Sequence, residues 1–111
     1  MGFLVAGRMD RRITLQSFTE TPNAIGEPVK TWANLASVPD MWAEVTPLRG
    51  AELFASQQIA GEADTRFRVR YRDDLGAEMR VVYEGANYDI QSILEIGREE
   101  GLEILAKKEQ A

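Results

Sequence analysis

Arg66-Phe67-Arg68-Val69-Arg70-Tyr71-Arg72 alternates charge and apolar bulk at every step. Consecutive side chains of a β-strand point to opposite faces, so this stretch puts Phe67, Val69 and Tyr71 on one side and four guanidinium groups on the other. A helix would scatter both sets around its axis. The alternation therefore predicts a strand whose apolar stripe, Phe67 and Tyr71 included, faces a core. The arginine row, Arg66, Arg68, Arg70 and Arg72, then needs carboxylates, phosphates or water on its own side. A solvated sheet face is the plain reading and a subunit or partner interface the sharper one.

Working outward from this strand, the chain reads as β almost throughout. Arg12 to Phe18 alternates, with Ile13 and Leu15 sharing one face. A long polar loop is expected from Thr19 to Pro28, where two prolines, an asparagine and a glycine cluster. Strands follow at Val29 to Leu35 and Met41 to Thr46. Pro47 ends the sheet, and Leu48 to Glu62 is the one helix candidate, rich in strong helix formers. Leu53 and Ala60, with Ser56 between them, make only a narrow apolar stripe there, with Phe54 and Ile59 to its sides. After the arginine strand come a turn at residues 72–79, a strand from Met79 to Glu84, and a tight hairpin at Gly85-Ala86-Asn87 leading into Tyr88 to Glu95. The last strand is Leu102 to Lys107. Trp32, Trp42, Tyr83 and Tyr88 are expected in core and cross-strand packing. The fold class is mainly β: a small antiparallel barrel or sandwich of six to seven strands, with one α-helix inserted between strands 3 and 4.

At 111 residues the chain is expected to form one domain, residues 1–111, opening with an arm over residues 1–11 that carries Phe3, Leu4 and Val5. An apolar fraction of 44% with 28% charged residues is ordinary for a soluble domain, and no apolar run approaches a membrane span. The opening residues do not match a secretory signal. The chain has no histidine and no cysteine, which removes the commonest general base, the thiol nucleophile and the usual zinc ligands. No phosphate-binding glycine loop is present. Neither catalytic residues nor a cofactor is predicted, and an enzyme is disfavoured. Glu62, Asp64, Asp73 and Asp74 lack the spacing of a calcium loop and read as surface carboxylates, so no metal site is predicted. The net charge of −5 argues against general coating of nucleic acid and suits a surface that DNA slides past. A single-strand-binding barrel is a weaker alternative, because Phe67 and Tyr71 point away from the arginines and leave that face without stacking platforms.

The order of residues resembles the head–tail joining proteins of tailed bacteriophages, also called head-closure or stopper proteins. Gly7, Met9, Arg12, Ile13 and Thr14 match the family's opening, and Trp32 follows the long loop. Trp42, Ala43 and Val45 match its third strand, Gly50 and Glu52 its helix start, and Val69, Arg70 and Tyr71 its aliphatic–Arg–Tyr strand. Arg80, Val81, Tyr83, Gly85, Tyr88 and Ile90 match the closing hairpin. Two positions depart from the common pattern: Arg66 stands where many members have histidine, and Asn23 where aspartate is common.

The resemblance implies a structural virion protein of the neck, assembled in the host cytoplasm. It would form a ring of six or twelve copies beneath the portal and its adaptor, close the DNA-filled head, and dock tail proteins below. Packaged DNA would pass its channel without sequence-specific binding. A phage, a prophage and a gene transfer particle all fit, and a tail-terminator-like virion protein is the alternative. In this setting the arginine row, Arg66, Arg68, Arg70 and Arg72, is expected to meet carboxylates of a neighbouring subunit or adaptor. The gate is expected in Thr19 to Pro28, or in Leu48 to Thr65 with Gly50, Glu52, Phe54, Gln57, Gln58, Glu62 and Asp64.

Overall fold

The computed structural model describes residues 8–76 and 78–109, without the side chains of Ser56, Ile59 and Ala60. Most of the expected N-terminal arm, with Phe3, Leu4, Val5 and the motif residue Gly7, lies outside the described residues. The elements run β1 (Arg11–Pro22), β2 (Pro28–Asn34), β3 (Asp40–Pro47), α1 (Gly50–Ala60), β4 (Thr65–Arg70), β5 (Arg80–Tyr83), β6 (Ala86–Ile96) and β7 (Gly101–Lys108). All pairings are antiparallel, in the order β2-β1-β3-β4-β7-β6-β5, and β5 pairs back onto β1. Six strands thus close into a barrel, with β2 as an extra strand outside it. Closure satisfies the backbone groups that an open sheet would leave at its edges. The mainly β architecture and the helix between the third and fourth strands are as expected.

Strand β1 makes this topology possible by serving three neighbours in turn. Residues 11–14 pair with β3, residues 14–16 with β5, and residues 16–22 with β2. Twelve residues at ~3.3 Å each outrun the barrel, so the far half of β1 leaves with β2 as a projecting hairpin and the molecule measures 54 × 31 × 25 Å. Half of the long loop expected at Thr19 to Pro28 is therefore strand, and residues 23–27 turn. Asn23 closes that turn: its Oδ1 accepts from the N–H groups of Ile25 and Glu27, both at 3.0 Å. Its carbonyl accepts from Gly26, whose φ of 86° suits glycine. The amide oxygen of asparagine does here what an aspartate carboxylate would do.

The barrel interior is filled by the inward faces of the strands. Ile13, Leu15, Phe67, Val69, Val81, Tyr88, Ile90, Leu102 and Ile104 are buried, joined by Ala43 and Ala106. Phe67 sits at the centre, edge-on to Tyr88 at 5.2 Å and to Tyr83 at 6.1 Å between ring centroids. Strand β4 ends at Arg70, two residues short of the expected stretch. Tyr71 therefore lies beyond the strand and is exposed rather than in the core. Trp42 also departs from expectation: it faces outward on β3 and is 53% exposed. Trp32 does pack across strands, edge-on to its register partner Phe18 at 5.0 Å.

The helix is shorter than expected, and its place is set by Leu105. That residue points outward from β7 and is covered by Leu48, Ala63 and Leu53, a small second core outside the barrel. Only Leu53 of the expected stripe can be seen to do this, and Phe54 is 67% exposed. Gly61, with φ 68°, ends the helix and donates its N–H to the Gln57 carbonyl at 2.9 Å. The β5–β6 turn falls one residue earlier than expected. Glu84 and Gly85 both take positive φ, 49° and 77°, the pair a two-residue hairpin with right-handed twist needs.

Candidate assembly surfaces

The arginine row does not stand as a free cationic stripe. In the antiparallel registers Arg68 lies directly opposite Glu44 of β3 and Glu103 of β7. Its Nε donates to Glu103 Oε1 at 3.1 Å, and its Nη1 lies 3.8 Å from Glu44 Oε1. Arg66 reaches Glu52 of the helix at 3.2 Å and Glu103 at 3.8 Å. Arg66 Nε is buried and makes no hydrogen bond, so its contact with Glu103 is one of charge alone. Arg72, past the strand end, donates to Asp74 at 2.7 and 2.9 Å and to the Ser37 and Val38 carbonyls. Three members of the row, expected to meet a neighbour's carboxylates, have carboxylates of the chain itself beside them. Arg70 differs. It is exposed at the end of β4, and among the described residues no carboxylate lies within 4.0 Å of it.

This division has measurable consequences. Glu103→Ala leaves Arg66 and Arg68 each short of a partner and is expected to cost about 2 kcal/mol in urea unfolding, in the range for hydrogen bonds to charged groups. Arg68→Glu would add a third carboxylate between Glu44 and Glu103 and so reports on the fold. Arg70→Glu reports on the surface. The Arg72 hydrogen bond holds the Asp74 carboxyl below its ordinary value of 3.8. A depressed carboxylate pKa contributes stability that is fully present above 3.8 and is lost as pH falls through the folded value. Asp74→Asn is therefore expected to lower Tm at neutral pH, and the difference from wild type should shrink in acid.

The segment expected to hold the gate divides in the same way. Gly50 opens the helix with φ 57°. Glu52 binds Arg66, Glu62 accepts from Lys107 Nζ at 2.9 Å, and Asp64 accepts from the Lys108 N–H at 3.2 Å and the Thr65 hydroxyl at 3.0 Å. These three carboxylates fasten the segment to the barrel. Phe54, Gln57 and Gln58 remain outward and exposed. The structure does not gather the seven residues onto one surface.

Two surfaces that local sequence reading missed arise from strand pairing. On the hairpin, Lys30 Nζ lies 4.5 Å over the Phe18 ring, Phe18 packs on Trp32, and the Arg80 guanidinium lies 4.3 Å over Trp32. Arg80 Nε also donates to Gln16 Oε1 at 2.7 Å, which ties the hairpin root to β5. Beside this ladder runs a groove of about 440 Å³, lined by Phe18, Glu20, Trp32, Glu78, Met79 and Asp89 among others. On the other side of β1, Arg12 covers the exposed Trp42 ring at 5.2 Å, and Trp42 and Arg70 line one shallow depression. The alternation of β1 puts Arg12 and Phe18 on its outer face, but the partners come from strands distant in sequence.

The sequence model of the phage head completion proteins matches residues 4–109. Head completion protein gp7 of Enterobacteria phage HK97 is 30% identical over 91 residues, 82% of this chain and 79% of that protein. The chain belongs to the phage head completion protein family. Protein SF1141 from Shigella flexneri 2a has a similar solution structure, with TM-score 0.75 and 27% identity over 95% of this chain and 96% of that one. A chain of the native gene transfer agent virion shares the fold at TM-score 0.62 and 22% identity, covering 92% of this chain and 96% of its own.

As a head completion protein it is a structural virion protein, and the family pattern quoted above is largely a packing pattern. Ile13, Ala43, Val69, Val81, Tyr88 and Ile90 all point into the barrel, and Gly50 and Gly85 hold positive φ. Trp42, Arg12 and Arg70 break that rule by lying outside on one patch.

Proposed function

We propose that this head completion protein works as a ring-forming connector between the portal with its adaptor and the tail, closing the filled head and docking the tail. The whole chain, residues 1–111, acts as one joining unit, and its role is structural rather than catalytic. The observation that carries the reading is the projecting hairpin. A small barrel extends two paired strands well beyond its core and ends them in Ile25 and Val29, both exposed among the described residues. Exposed Phe54 and Trp42 add apolar area at two further places. Adhesive surface in several directions suits a subunit held on more than one side, by its copies and by neck components above and below.

Of the two candidate gates, the hairpin is favoured. The helix segment is fastened by Glu52, Glu62, Asp64 and Leu53, whereas residues 23–27 are free to reach into a channel. A net charge of −5 suits passage of DNA past the ring. The internal pairing of Arg66, Arg68 and Arg72 speaks against a single-strand-binding barrel, since that row has little charge left to offer phosphates.

Disrupting the reading frame tests the proposal. The expected particles are heads that package DNA but lose it and take no tails, restored when the chain is supplied in trans. Tails of irregular length on sound heads would instead indicate a terminator.

A further inference from the structure

We infer that neighbouring copies of this chain join by seating the Arg12–Trp42–Arg70 patch of one copy in the acidic groove between the hairpin and β5–β6 of the next. The inference rests on the connector reading above and names its contact.

The two surfaces are complementary in charge. The groove is lined by apolar Phe18, Trp32 and Met79, by the carboxylates of Glu20, Glu78 and Asp89, and by Lys30. Two cations stand in register with these acids, Lys30 opposite Glu20 and Arg80 opposite Asp89, and they also lie over the Phe18 and Trp32 rings. Lys107, the register partner of Asp89, is held by Glu62. The neighbouring Asp89 carboxyl raises the Glu109 pKa above its ordinary 4.5. Glu20, Glu78 and Asp89 thus outnumber Lys30 and Arg80 on this side by one.

The opposite holds across β1. Arg12 is the register partner of Trp42, and the pairing of Ala43 with Val69 brings Arg70 alongside. The nearest acids pair loosely, Asp40 with Arg12 at 3.9 Å and Asp10 with Arg11 at 3.8 Å. Among the described residues, no carboxylate lies within 4.0 Å of Arg70. An exposed tryptophan between two guanidinium groups is the kind of anchor that dominates an interface once a pocket desolvates it.

A single copy cannot satisfy both surfaces. Arg12 and Phe18 share the outer face of one strand but stand six residues apart, roughly 20 Å at the strand rise. Two different surfaces that fit each other join copies head to tail, and such contacts close into a ring when the rotation allows.

The test uses particles made with variant chains, the number of copies per filled head being read by quantitative mass spectrometry. Arg12→Glu with Arg70→Glu, and separately Glu20→Lys with Glu78→Lys, are each expected to lower incorporation about tenfold or more, as reversal of interface charges does. All four changes in one chain should restore it. Melting of each purified variant checks that the barrel folds, and Trp42→Ala, which changes no charge, should also lose incorporation. Wild-type incorporation of the single-surface variants overturns the inference. So does loss without rescue, which would turn the patch toward another neck component. Absence of the wild-type chain from particles would overturn the connector reading itself, and this contact with it.

Discussion

Replacing Phe67 with alanine is expected to destabilise the barrel by about 3–5 kcal/mol, the cost of emptying a fully buried aromatic site. The ring has no solvent exposure, and it holds Tyr83 and Tyr88 edge-on. It lies on β4, between β3 and β7, where a closed barrel cannot collapse without shifting strands on both sides. A domain of this size has only about 5–15 kcal/mol of total stability. Tm should therefore fall by roughly 10 °C or more. Urea unfolding checks the value, and a loss below about 1 kcal/mol would mean that the ring is not enclosed as described.

Removing the projecting hairpin should have the opposite profile. Phe18 and Trp32 are register partners, so residues 19–31 can be replaced by an Asn-Gly turn that joins the two strands directly. The main core draws on none of the removed residues, and shortening a surface excursion changes stability by about 1 kcal/mol at most. The edge-on pair and the Arg80 contact with Trp32 are kept. Sound, tailed particles are nevertheless expected to fall roughly 100-fold, the effect of losing about 2.7 kcal/mol at one central contact. Electron microscopy with a DNA-retention assay measures this. Normal particles would show that the hairpin neither docks nor gates.

The contrast between these variants follows what could be read from the sequence. Alternation in residues 66–72 and in Ile13 and Leu15 marks strand faces locally, and it led to a small antiparallel barrel or sandwich. Boundaries were harder, because Thr19 to Pro22 and Pro28 look like turn residues until β1 and β2 pair. There the ladder overrides local preference. Tyr71 was misplaced because the alternation runs on past Arg70 although the pairing with β7 stops there.

The surfaces were less legible for a single physical reason. Which carboxylate meets Arg68 depends on registers that bring Glu44 and Glu103 beside it, and neither lies within 20 positions in sequence. The groove and the Trp42 patch likewise need β1 placed between β3 and β5. A row of arginines announces that partners exist, but only the closed sheet shows that three of the four already have them.

Electron cryomicroscopy of the neck in filled particles tests the connector role most directly. A closed ring of these barrels is predicted between portal and tail, around the DNA channel, with each hairpin directed away from its own barrel onto a neighbour or into the lumen. Density for this chain confined to the tail, or no ring of it beneath the portal, would contradict that role.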